Sequence, residues 1–133
     1  MTYNAKVNLG FLLFFALSTL GMYLWGRSLK TDRKENRMVV LGSIFKENSP
    51  QTGLEYVCCY FYNHKKYTTV ISYMGPPVLK IGTLLFIEVS SKDPDNCNTL
   101  YKLKVPACFS LDSMPAKGWK EIPTCDSIGT LPK

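Results

Sequence analysis

The chain has 133 residues, and its sixteen Lys/Arg against ten Asp/Glu leave a formal net charge of +6. That length leaves room for one small folded domain beside any anchor and excludes a multidomain enzyme. The basic excess gathers next to an N-terminal apolar run. It forms no stripe interleaved with stacking aromatics, which argues against nucleic acid as a partner.

After a short N-terminus, residues 1–6, comes Val7–Trp25 (VNLGFLLFFALSTLGMYLW), which has no charge and no proline in the 17 positions from Leu9 onward. As a helix those positions cover about 26 Å, close to the ~30 Å hydrocarbon core of a bilayer. Residues 7–25 are therefore predicted to be a transmembrane helix. Leu9, Phe11, Leu12, Leu13, Phe14, Phe15, Leu17, Leu20 and Leu24 would meet the acyl chains, with Tyr23 and Trp25 at the interfacial belt. A cleaved signal peptide fits less well, because the run exceeds the usual h-region and ends in Trp-Gly-Arg-Ser without a small-x-small cleavage pattern. The expectation is an uncleaved, single-pass anchor, with the lipid bilayer as first partner and a bacterial inner membrane as the location.

Residues 26–37 read as a basic juxtamembrane linker or a frayed extension of the helix. Arg27, Lys30, Arg33, Lys34 and Arg37 are assigned to anionic headgroups, at roughly 1 kcal/mol each. Against Asp32 and Glu35 they leave +3 on this side, where the other side has only Lys6 and the α-amino group. The positive-inside rule then puts the C-terminal domain in the cytoplasm. The five cysteines pull the other way, since Cys108 with Cys125 would staple an exported segment. Whether Cys97, Cys108 and Cys125 form disulfides is open at this level.

From Met38 the period changes from helix to strand. Arg37–Lys46 (RMVVLGSIFK) is rich in β-branched residues and is followed by the turn-forming ENSPQTG. Leu54–Tyr62 (LEYVCCYFY) is apolar on both faces and reads as a central, doubly covered strand. Asn63-His64-Lys65 has the length of a hairpin loop, and Lys66–Ser72 returns, giving a three-stranded meander. Tyr73–Ile81, with Pro76 and Pro77, is an irregular crossing. Thr83–Val89 puts Leu85, Ile87 and Val89 on one face, while Glu88 suggests an exposed edge. Asp93 and Pro94 begin a type I turn. Thr99–Val105 alternates, with Tyr101, Leu103 and Val105 predicted to face inward. Residues 38–105 thus read as a small mainly-β domain of about five antiparallel strands, a barrel or half-open sandwich. Residues 106–133 read as an irregular, Pro-rich C-terminal tail, held by Trp119, Ile122 and Phe109.

The stretch Tyr60–Leu100 resembles a group of small bacterial single-pass membrane proteins with a β-rich domain of unknown function. Tyr60, Tyr62, Asn63, Lys66 and Tyr67 match its first strand pair. Gly82, Phe86, Val89, Lys92, Pro94, Asn96 and Leu100 match its second element. His64 stands where that group often has glycine, which implies a looser hairpin loop. The resemblance covers about a third of the chain, and it implies the helix-plus-β layout without assigning any catalytic residue.

Chemistry-bearing motifs are sparse. Cys58 and Cys59 are adjacent, so in a strand they face opposite ways and cannot converge on one metal. No Cys-x-x-Cys pair is present to hold zinc. His64, the one histidine, sits among lysines in a turn. The Asp93–Asn96 loop lacks the length and distal glutamate of an EF-hand. No glycine-rich loop is present to cradle a phosphate. Tyr56, Tyr60, Tyr62, Tyr67 and Tyr73 are either core or a candidate partner-binding face. The resulting expectation is a non-enzymatic, membrane-anchored accessory or assembly subunit that binds another membrane or envelope protein. A membrane-tethered immunity or envelope-protection protein is the alternative, and a thiol-dependent enzyme a more distant one. No cofactor, metal or small-molecule substrate is expected.

Overall fold

The computed structural model describes residues 3–48, 55–72 and 79–128. The chain divides into two compact units, Met1–Asp32 and Arg33–Lys133.

The described residues of the first unit are helical throughout. Helix α1, Tyr3–Glu35, is 33 residues long, long and apolar enough to cross a membrane, and none of its apolar window is buried. Phe14 and Trp25 are 69% and 68% exposed. Inside this run the Thr19 hydroxyl lies 3.0 Å from both the Phe15 and Ala16 carbonyls. A hydroxyl satisfied by its own helix carries no unpaired donor into an apolar surrounding. The stretch expected as a linker is helical as far as Glu35. Past Gly26 it holds no further Gly and no Pro, and its Leu, Lys, Arg and Glu residues favour a helix. Arg33 and Lys34 in the last turn suit the negative end of the helix dipole.

The second unit is a five-stranded antiparallel curled sheet, a half-barrel, of order β3-β2-β1-β4-β5. Its strands are β1 Arg37–Asn48, β2 Glu55–Tyr62, β3 Lys65–Ser72, β4 Leu84–Ser90 and β5 Cys97–Thr99. The first three form the expected meander. The centre, however, is β1 and not β2. Twelve residues long, β1 pairs with β4 through Arg37–Ser43 and with β2 through Gly42–Asn48. Only Gly42 and Ser43 have strand partners in both β2 and β4. The register against β2 slips between Ile44 and Lys46, leaving Phe45 as the extra residue of a bulge. A bulge bends its strand and increases twist, which suits a sheet that must curl.

The curl is visible in one hydrogen bond. Strands lie about 4.8 Å apart, and β2 is two strands removed from β4. Even so, the Tyr60 hydroxyl on β2 donates to Pro94 O in the turn after β4, at 2.7 Å. Val40, Ile44, Tyr56, Cys58, Tyr60, Ile71, Ile87 and Val89 make one core on the inner face. Gly42 lies within it. A Cβ there would come within 2.7 Å of Cys58 Sγ and closer still to Ile87 Cδ1, so only glycine lets these side chains meet.

On the other face, Val39, Leu41 and Phe86 form a second core with Phe109, against which Trp119, Met114, Val105 and Leu100 pack. Phe109 meets Phe86 and Trp119 edge-on, at centroid distances of 5.8 and 5.7 Å. Backbone accounting explains why Trp119 sits where it does. β2 ends at Tyr62, leaving Val39 with no strand on that side. There the Val39 N–H donates to Trp119 O at 2.6 Å and the Trp119 N–H to Val39 O at 2.8 Å. Gly118 allows the approach with φ +68° and a Cβ position that would collide with Val39 O. One bond further along, the Asn63 N–H donates to Ala116 O at 2.6 Å. Trp119 and Phe109 thus hold this segment, whereas Ile122 is 39% exposed and does not.

Three further expectations change. The hairpin after β2 is tight and not loose, because Asn63 and His64 both take positive φ, 51° and 67°, as a two-residue primed turn requires. Strand β4 is not an edge. β5 covers its far side, Phe86 is buried under Phe109, and Glu88 Oε2 pairs with Arg37 Nε at 3.0 Å. The fifth strand stops at Thr99. The Leu100 N–H donates to Phe86 O and the Leu103 N–H back to Leu100 O, turning the chain, so Tyr101 and Leu103 end 36% and 43% exposed. Tyr73–Val78 of the crossing lies outside the described residues.

Candidate functional site

Of the tyrosines read as either core or a partner face, those on β2 are core. Tyr56, Tyr60 and Tyr62 alternate along β2 and are buried. Tyr67, half-buried on β3, stacks on Tyr60 with ring centroids 5.6 Å apart, and Lys65 Nζ lies 5.3 Å from its ring centre. Tyr73 lies outside the described residues. The aromatic surface belongs instead to phenylalanines on the opposite face. Phe61 and Val70 are 44% and 58% exposed, and Val57 is cross-strand partner to Val70. Exposed Phe45, in the bulge, carries Lys66 Nζ 5.5 Å from its ring centre. This part of the outer face lies beyond Asn63 and Ala116, where the C-terminal segment crosses. β3 forms one edge of the sheet.

The five juxtamembrane cations separate into two groups. Arg33 donates through Nη1 to Asn96 Oδ1 and to Cys97 O, both at 3.2 Å, and Arg37 is held by Glu88. Arg27, Lys30 and Lys34 are exposed.

Cys58 is buried and Cys59 half-buried, on alternate sides of β2 as strand geometry demands. Burial, then the neighbouring Cys59 and Cys97, push the Cys58 thiol up to about 12 from an ordinary 9.0. Burial likewise pushes the Tyr60 hydroxyl upward, reinforced by its contact with Cys97. Both groups therefore keep protons in the folded chain that the unfolded chain releases. Their contribution is complete below about pH 9 and is lost as the pH rises toward 12. Urea titrations at about pH 8 and pH 10.5 should show a lower midpoint at the higher pH, and a Cys58→Ala chain should show a smaller drop between them. Equal drops would remove Cys58 as a cause.

His64 is exposed at the hairpin tip, and no group of three potential metal ligands occurs among the described residues. Cys108 and Cys125 form a disulfide with Cα atoms 5.9 Å apart. It closes the segment that carries Phe109 and Trp119.

A cavity of about 710 Å³ opens between the start of β4 and the turn after β5. Leu79, Leu84, Leu103, Val105 and Phe109 give it apolar walls, with Lys102 and Lys104 among them and no carboxylate among the described lining residues. Sequence reasoning missed it by treating residues 99–105 as a strand with one buried face. The signal that was available is Pro106, close behind an alternation with no partner strand to complete it.

No family model, curated protein or solved structure matches this chain. The resemblance suggested by Tyr60–Leu100 therefore gains no support from them. What the described residues define is one helix long and apolar enough to span a bilayer and a β half-barrel.

Proposed function

We propose that this protein is a non-enzymatic accessory or assembly subunit, anchored by α1 in a bacterial inner membrane, whose β-domain binds another membrane or envelope protein. The observation that carries the reading is the uncovered half of the outer sheet face. Phe61, Val70, Val57 and Phe45 lie there beside the β3 edge, which pairs on one side only among the described residues. Exposed apolar residues gathered on a sheet next to an open edge are what strand-addition and face-docking partners use. Lys65 and Lys66 at one end of β3 guard against indiscriminate edge pairing.

The side of the membrane belongs to the same proposal. Flanking charge alone favours a cytoplasmic domain, whereas the Cys108–Cys125 disulfide supports an oxidising compartment. Arg33 and Arg37 are bonded to Asn96, Cys97 and Glu88, so part of the charge excess has a structural use. We therefore put the domain outside the cytoplasm, against the cytoplasmic side expected from flanking charge.

A photo-crosslinking residue at position 70, in native membranes, should give one discrete heavier adduct. The same residue at position 92, in the turn after β4, should not. A Phe61→Ser/Val70→Lys chain should keep its circular dichroism and lose co-purification of the crosslinked species in gentle detergent. Recovery of the protein alone, with no adduct from position 70, would falsify the reading.

A further inference from the structure

We propose that the cavity between β4 and the turn after β5 binds a single-chain anionic lipid, a long-chain fatty acid being the simplest case. Its carboxylate would lie at Lys102 and Lys104 and its chain against Leu84, Leu103, Val105 and Phe109. The cavity's size, about 710 Å³, falls in the range of small-ligand sites, which combine apolar walls with a few polar groups that orient the ligand. The polar groups here have one sign. Among the described residues two lysines and no carboxylate line the cavity, and neither lysine has an ion-pair partner there.

Two exposed lysines alternate with apolar side chains along Tyr101–Val105, so head and tail sites lie side by side. An acidic peptide helix would need a longer groove with a continuous apolar floor, whereas here two lysines interrupt the apolar wall within five residues. The walls are not a packing defect, since the cavity is open and water now meets Leu103, which is 43% exposed. Supply of the ligand rests on the membrane-anchor reading, which keeps the domain tethered where such lipids are concentrated. The site is separate from the Phe61/Val70 face, so either proposal can fail alone.

The test uses the full chain in nanodiscs of zwitterionic lipid with a photoactivatable fatty acid as probe, the adducts being mapped by peptide mass spectrometry. Adducts are expected on residues 101–109. Unlabelled fatty acids should compete, with affinity rising about three- to fourfold per added methylene until the cavity is filled. A Lys102→Glu/Lys104→Glu chain should label at least tenfold less with the acid, while labelling by the matching fatty alcohol should hardly change. Adducts confined to α1 would mean partition into the bilayer only and would overturn the proposal. So would equal labelling of wild type and double variant by the acid, or displacement by an acidic amphipathic peptide but not by fatty acids. Should the lysine variant misfold by circular dichroism, Leu103→Gln at the cavity wall serves instead, and undiminished labelling there overturns the proposal equally.

Discussion

Replacing Gly42 with valine should destabilise the full-length chain by about 1–3 kcal/mol, the usual cost of overpacking a well-filled core. For a domain of this size that is a fall in melting temperature of roughly 4–8 °C per kcal/mol, read by circular dichroism of the β-sheet. The position leaves little choice of response. Gly42 is paired on both sides, to Tyr60 and to Leu85, so the backbone cannot move without breaking one ladder. An added Cβ meets Cys58 Sγ at 2.7 Å and Ile87 Cδ1 closer still. Those side chains are fully buried and cannot turn out to solvent. Gly42→Ala should show the same effect at smaller size, and Gly42→Ala/Ile87→Val should recover part of it by removing one of the clashing methyls. A valine variant that melts with the wild type would mean that the two halves of the sheet do not close on each other here.

The second large effect is expected at the disulfide. Cys108→Ser/Cys125→Ser should lower stability by about 3 kcal/mol, the entropy of closing a loop of this order, given a sequence separation of 17. The loss should appear first where the closed segment does its packing. Phe109 and Trp119 cover Val39, Leu41 and Phe86, so in a Trp25→Phe background the emission of Trp119 should shift to the red before the far-ultraviolet signal falls. Reductant should reproduce the change in the wild type and leave the double serine chain unaffected. The same bond tests the proposed compartment. Protein denatured under an alkylating agent, straight from cells, should present three thiols, those of Cys58, Cys59 and Cys97. A count of five would remove both the disulfide and the exported placement.

Local pattern carried most of the architecture. The β-branched run after Arg37 and the Asp-Pro start of the turn after β4 each name their structure through short-range physics, whereas the Asn-His pair marked the hairpin but not its tightness. Parity along β2 was legible too. Tyr56, Cys58, Tyr60 and Tyr62 share one face of a strand, and that face is the core. The intervening Val57, Cys59 and Phe61 are equally apolar, so both faces looked buried. What separates them is how far the C-terminal segment reaches. It pairs with Val39 and touches Asn63, then leaves Phe61 uncovered. That contact joins residues more than fifty positions apart, and no local period encodes it. Tyr101–Val105 misled for the same reason. Alternation states that a segment could be a strand, but a strand also needs a neighbour, and β4 has bonded its last residues to β5 and Leu100. The open cavity beside it is the direct result.

The division of β1 also sets an order of assembly. Its second half is satisfied early, because β2 and β3 follow directly and close short loops at little entropic cost. Its first half waits. Arg37–Ser43 gains its partner only when Leu84–Ser90 has been made, and Val39 is finished only when Trp119 arrives. The segment that follows the apolar helix in the chain is thus the first part of the domain to be synthesised and the last to be completed. Until then it presents an apolar strand with one bare edge. A nascent or truncated chain lacking the residues around Trp119 is therefore the form most exposed to quality-control proteases and to edge-to-edge association with its own copies.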